Sequence, residues 1–316
     1  MDFERSGILA LVKKTVSSGS SEAILESLRG WAWVDVIAPT QTRVPFNAIS
    51  YNYCPTRRDL YLSYRKATRR ETYATIAGRV FDKSVKLPID SLKEILLSKD
   101  SGTIDPDEYA DSVEAMVPNA LKDRDRNSKY LVGNESQKLE EQAHKIIRSE
   151  TFYWFCRLNY WLSHTPSLTR EKLARTVIPL ELDHPMEVEH MGYSGQLTPD
   201  FLIAGTNAIG ELKTGERNFA HRVAVAGYAL AYEALYHEPV DVGFVLYYNE
   251  SKRKVPMYEV DVFGITNDLR RANVVHRNDG LKIVQLESPP PLAPEEVCEK
   301  CVYLYECRPE RQTQNP

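Results

Sequence analysis

The sequence predicts a mixed α/β protein: a sheet built from the second half of the chain, flanked by helices and preceded by a mostly helical part. Three observations carry this. From Val177 onward, short apolar runs rich in β-branched residues alternate with helical patterns. Before that point a long helical periodicity spans about Ser136 to Ser163, carrying Leu139, Ile146, Ile147, Phe152, Phe155, Leu158 and Leu162. Near the end Cys298, Cys301 and Cys307 form Cys-x2-Cys-x5-Cys behind the stiff link Ser288-Pro289-Pro290-Pro291. The expected organisation is therefore a helical part over residues 1–165, a sheet-bearing core over 166–287 and a cysteine segment over 288–316.

Taken in order, the first thirty residues read as one or two amphipathic helices ending at Gly30, with a break at Ser17 to Ser21. Trp31, Trp33, Pro39 and Pro45 suggest an irregular packed connection. Pro55 is suited to a first helical turn, with Cys54 just before it. A helix start there favours an anionic partner, whether thiolate, iron-sulfur cluster or phosphate. The helical region continues through Gly78 to Asp82, breaks at Pro88 and resumes to Leu97, followed by an acidic loop over Lys99 to Asp107. Strands are expected at Pro185–His190, Asp200–Ala204 and Ala208–Lys213, then a helix over Arg217–Tyr236, strands over Val240–Tyr248 and Pro256–Val262, and a helix through Arg270 and Arg271. Residues beyond Arg308 read as a frayed end.

Composition sets limits on partners. With 42% hydrophobic and 27% charged residues among 316, and no secretory signal, the chain reads as a cytoplasmic globular protein. No apolar run approaches the roughly 20 residues of a membrane span. A net charge of −4 does not announce a nucleic-acid binder, so any such surface must be local. Basic clusters occur at Arg57-Arg58, at Arg65-Lys66 with Arg69-Arg70, and at Arg270-Arg271, each by default a solvated face. Five cysteines without an export signal argue for thiol chemistry or metal ligation rather than disulfides, leaving Cys54 and Cys156 as candidate fourth ligands beside the triad. The neighbours of Cys156 favour a core thiol.

The chemistry concentrates between Pro199 and Lys213. Gly205-Thr206 fits a two-residue hairpin turn, and counting back along both strands sets Asp200 opposite Glu211. Facing carboxylates repel unless a cation lies between them, most simply Mg²⁺ or Mn²⁺, which favour oxygen ligands. Lys213, two residues beyond Glu211, projects from the same face and could reach the same phosphate. Glu187 and Glu189 are exposed acids by default, with one able to face the metal.

The order of these motifs resembles the RecB-like branch of the Asp…Glu-x-Lys nuclease superfamily, specifically the CRISPR-associated iron-sulfur exonucleases. The likeness rests on Tyr53-Cys54-Pro55-Thr56-Arg57-Arg58, Thr198-Pro199-Asp200, Glu211-Leu212-Lys213, Tyr228-Ala229-Leu230 and the closing cysteine triad. It implies a restriction-endonuclease-like, RecB-like core. Asp200 and Glu211 would be metal ligands with the Leu212 carbonyl, Lys213 the residue that orients or activates water, and Tyr228 part of a DNA-contacting helix. Cys54, Cys298, Cys301 and Cys307 would hold an iron-sulfur cluster, with four irons favoured over two; the spacing alone leaves zinc open. Arg57, Arg58 and Arg222 are candidate DNA contacts.

Two departures stand out. Where the family pattern Gly-x-x-x-His places a histidine ligand, Gly78 is followed by Asp82, an oxygen donor still able to bind a hard cation. Where a glutamine normally precedes the helix tyrosine by four residues stands Ala224, with Arg217, His221 and Arg222 as conceivable substitutes. The resemblance implies trimming of DNA ends, single-stranded by expectation, beside an adaptation integrase and its associated subunits during CRISPR spacer acquisition. Its rivals are a non-catalytic DNA-binding scaffold of the adaptation complex and a RecB-like repair or recombination nuclease outside CRISPR.

Overall fold

A sheet sandwiched between two helical layers is the frame of the molecule. The structure, a computed structural model, describes residues 4–18, 23–34, 42–51, 53–98, 106–165, 167–249, 257–299 and 301–308. The helical part comprises α1 (Glu4–Ser18), a short β1 (Val44–Pro45), α2 (Phe46–Tyr51), α3 (Arg58–Tyr64), α4 (Tyr73–Ser98), α5 (Pro106–Arg126), α6 (Glu135–His164) and α7 (Arg170–Val177). There follow β2 (Leu180–Leu182), β3 (Met186–Glu187), β4 (Tyr193–Ser194), β5 (Gln196–Leu197), β6 (Phe201–Ile203) and β7 (Ala208–Thr214). The chain closes with α8 (Phe219–Tyr236), β8 (Val242–Asn249), β9 (Met257–Gly264), α9 (Asn267–Val284) and α10 (Glu295–Cys298).

The main sheet runs β2-β6-β7-β8-β9, with β7 and β8 parallel and the other pairs antiparallel. The helix α8 makes the crossover that a parallel pair requires. Alternation along the strands feeds two cores. Phe201, Ala208, Leu212, Phe244, Leu246 and Tyr248 face α4, α5, α6 and α7, whereas Leu202, Ile209, Val245 and Tyr247 face α2, α8 and α9. The helices α4 to α6 share a core with one face of the sheet, whereas α2 and α3 lie on the other. Gly210 allows this closeness: a Cβ there would lie 2.3 Å from the Phe244 ring on the neighbouring strand.

Several expectations change. The helix α4 passes through Pro88 without a break, because Val80, Phe81, Val85, Ile89 and Leu92 bury one continuous face. Tyr109 also donates to the Pro88 carbonyl at 2.8 Å. Packing on both flanks outweighs the hydrogen bond that proline forfeits. Pro55 lies in a turn, closed by Arg57 N donating to Cys54 O at 2.9 Å; Arg57 adopts φ 61 and α3 starts only at Arg58. The Pro185–His190 strand shrinks to β3, paired with β5 outside the main sheet, whose edge is instead β2. After α1, the described residues before Gly30 contain a single 3-10 turn, Glu26–Leu28. The Ser17–Ser21 break, the acidic loop up to residue 105 and everything beyond Arg308 fall wholly or largely outside the described residues. Among the described residues no helix is long and apolar enough to cross a membrane.

Candidate active site and cysteine cluster

The hairpin β6–β7 has the expected register. Phe201 faces Gly210 and Ile203 faces Ala208, so the residue one step beyond, Asp200, comes opposite Glu211. The connection is wider than expected, with turn residues 204–207 and positive φ at both Gly205 (78°) and Asn207 (46°). On β7, Glu211 and Lys213 share the face of Ile209, and the Lys213 ammonium lies 2.8 Å from Glu211 Oε2. Glu211 is buried, at 3% exposure. Asp200 Oδ2 accepts from Leu212 N at 2.7 Å, which ties the aspartate to the strand that carries the glutamate.

The other oxygen of Asp200 meets a residue that the motifs did not single out. Lys86 Nζ lies 2.8 Å from Asp200 Oδ1, 2.6 Å from Asp82 Oδ1 and 2.6 Å from Asp183 Oδ1. The helix α4 aims Asp82 and Lys86 the same way, four residues apart. Asp183 is placed by a left-handed backbone, φ 49, just after β2. Burial, then the charge of Asp200, pushes the Asp82 carboxyl up to about 6. Burial pulls the Lys86 ammonium down, but Asp200 and Asp82 outweigh it and leave it above its ordinary range. The i, i+4 spacing of Asp82 and Lys86 was the signal available in the sequence.

Around Lys213 lie two aromatic side chains. His221 Nδ1 is 2.9 Å from the Tyr247 hydroxyl, and burial, with the Lys213 charge second, pushes the imidazole down to about 4. Tyr53, 66% exposed, lies within electrostatic reach of Lys213 and Glu211.

The donor set suits a hard divalent ion in kind: carboxylates on adjacent strands and a backbone carbonyl. As it stands, each carboxylate pairs with a lysine, and among the described residues no three His, Cys, Asp or Glu side chains converge to hold a single ion.

The cysteines gather at the other end of Tyr53. Cys54 and Cys298 pack with Ala293 and Leu304. The Cys301 thiol is pushed up first by burial and also by Cys298 and Cys307; that of Cys307 is pushed up by burial, with Cys298 and Cys54 adding to it and Arg58 opposing. All are free thiols. Cys54, Cys298 and Cys307 are buried and Cys301 half-buried; the four lie within electrostatic reach of one another, with Arg58 beside Cys307 to offset negative charge, a donor set that suits an iron-sulfur cluster in kind. Cys156 lies on α6, outside this group.

The expected DNA contacts fare unequally. Arg58 is corrected: it is 4% exposed and donates to the Pro290 carbonyl at 2.6 Å, drawn inward by the cysteine segment. Arg57 turns toward the Ile49 carbonyl at 3.4 Å, and Arg222 forms a two-pronged pair with Asp261 at 2.7 and 2.8 Å. Tyr228 is 5% exposed and leans on Phe46, while Ala224 is wholly buried on the same helix. Arg270, expected on a solvated face, is also wholly buried. Of the two acids near β3, Glu187 is exposed and Glu189 pairs with Arg43.

The profile of the family described as CRISPR-associated exonuclease Csa1 matches residues 1–310. The chain belongs to the Csa1 family. A curated Csa1 relative, the CRISPR-associated exonuclease Csa1 of Saccharolobus solfataricus, is 25% identical over 311 residues, covering 98% of this chain and 100% of the relative. Among solved structures, a candidate exonuclease from Eubacterium rectale aligns over 91% of this chain and 94% of its own, at 12% identity and a TM-score of 0.43, too slight a likeness to carry an argument. Csa1 membership accounts for the whole span from the helical layer to the cysteine triad.

Proposed function

We propose that this chain is a metal-dependent exonuclease with a RecB-like core and an iron-sulfur cluster, which trims DNA ends during CRISPR spacer acquisition. The observation that carries the reading is Asp200 opposite Glu211 with Lys213 at 2.8 Å from the Glu211 carboxylate. Family membership supports the nuclease and CRISPR context over a repair role.

Asp200 and Glu211, with the Leu212 carbonyl, would hold Mn²⁺ or Mg²⁺, an ion that would supply charge to the scissile phosphate and acidity to a bound water. The residues divide the remaining work. Lys213, freed from Glu211, orients the attacking water and offsets charge developing on the phosphate. Leu212 N holds one oxygen of Asp200 against β7, and the other meets Lys86. Tyr53, exposed near Lys213 and Glu211, stacks on an unpaired base, a contact that any sequence can make. Cys54, Cys298, Cys301 and Cys307 would hold the cluster, four-iron by preference, joining residues about 240 positions apart and closing a long loop. Arg57 stays a candidate contact to the strand backbone, and Arg222 would have to leave Asp261 to become one. DNA ends, single-stranded by preference, are the substrate; the adaptation integrase and its associated subunits are the partners.

A second reading, a non-catalytic DNA-binding scaffold, is favoured by one observation: both carboxylates are already lysine-paired. Degradation of end-labelled single-stranded DNA by anaerobically purified protein, with Mn²⁺ or Mg²⁺, separates the two. Cutting by the wild type that Lys213→Ala abolishes, with the visible absorption of the cluster intact, supports the exonuclease. An inert, cluster-loaded wild type leaves the scaffold.

A further inference from the structure

Both oxygens of Asp200 are engaged, Oδ2 by the Leu212 amide and Oδ1 by the Lys86 ammonium. Lys86 is itself 7% exposed and has two further carboxylates, Asp82 and Asp183, each at 2.6 Å. An ammonium buried to this degree stays charged only among such partners. A divalent ion bound at Asp200 Oδ1 would meet the Lys86 ammonium, 2.8 Å from that oxygen, and repel it; Lys86 can swing away because Asp82 and Asp183 still hold it.

We propose that Lys86 is a resident cation of the site, bound to Asp200 before a divalent ion arrives and handed to Asp82 and Asp183 when one binds. This rests on the metal-site reading above and specifies it: Asp82 and Asp183 serve Lys86, and the exchange sets the affinity for the ion. Asp82 stands where the resembled family pattern has a histidine, so the chain carries an aspartate and a lysine one turn apart in place of a ligand. The charges are consistent. Asp82, Asp183, Asp200 and Glu211 against Lys86 and Lys213 leave two negative charges, which a single divalent ion neutralises while both lysines stay.

Mn²⁺ binding to the whole protein, followed by loss of the free-ion electron paramagnetic resonance signal, tests this without any turnover. Lys86→Met is expected to bind Mn²⁺ at least tenfold more tightly than wild type, because the competing ammonium is gone. Should that variant not fold, Asp82→Asn with Lys86→Met removes the pair at no net charge, and at least threefold tighter binding is expected. Unchanged or weaker binding by a folded variant overturns the proposal; weaker binding by the double variant would make Asp82 a ligand. Glu211→Gln is the control for the site itself. If it binds as tightly as wild type, the ion lies elsewhere and the metal-site reading falls too; if it loses binding while Lys86→Met is unchanged, only the role of Lys86 falls.

Discussion

Arg270 and Glu233 form an ion pair with both side chains fully enclosed, NH1 to Oε2 at 2.7 Å. The pair joins α9 to α8, and Glu233 also accepts from Gly30 N at 2.7 Å and Val240 N at 3.0 Å. Arg270→Leu leaves Glu233 with Arg29, 2.8 Å away, and with the two amides, so the expected loss is that of charge-assisted hydrogen bonds, about 1.5–3 kcal/mol in urea denaturation. A loss below about 1 kcal/mol would show that the α8–α9 junction does not depend on this pair.

Cys301→Ser should remove visible absorption and iron together, whereas Cys156→Ser should keep both. Iron analysis of anaerobically purified protein decides it. Retention of full iron by Cys301→Ser would take that thiol out of the ligand set.

Tyr53→Ala should weaken binding of single-stranded DNA by about tenfold, the scale of one base–aromatic stack, and alter duplex binding little. Fluorescence anisotropy with both substrates reads this. Equal losses on the two would point to a fold defect.

His221 supplies a pH dependence. Its folded pKa, about 4, is below the usual 6.5 of histidine, so below 6.5 the unfolded chain takes up a proton that the folded site refuses. The stability that neutral His221 contributes is thus complete above pH 6.5 and is lost as pH falls toward 4. Tyr247 and Lys213 are the groups facing it. His221→Gln should lose less melting temperature than wild type between pH 7 and pH 4.5, and parallel losses would count against this placement.

The register of the β6–β7 hairpin was legible because a hairpin is local: once the turn is located, residues at equal distances along its arms must face each other. That Cys54 packs with Cys298 was legible from the shortage of other thiols to join the closing triad. Lys86 was not. Its partners Asp183 and Asp200 lie 97 and 114 residues away, and only tertiary packing brings them to α4. Pro88 was misread for a similar reason, since its local cost is outweighed by burial against α5 and α6. Arg58 and Arg270 show the same limit, for a basic residue on paper looks solvated until a distant carbonyl or carboxylate claims it.

The closure of the cysteine segment on residues 54–70 also sets an order of events. Arg70 Nε donates to Cys301 O at 2.9 Å, and Thr68 N to Glu306 at 3.2 Å. A ribosome finishes the sheet before residues 298–307 emerge, so the nascent chain must wait with Cys54 unpartnered and Arg58 without the Pro290 carbonyl. Contacts of such long sequence separation form late, so the end of the molecule that carries Cys54 closes only after the local hairpin β6–β7 has formed.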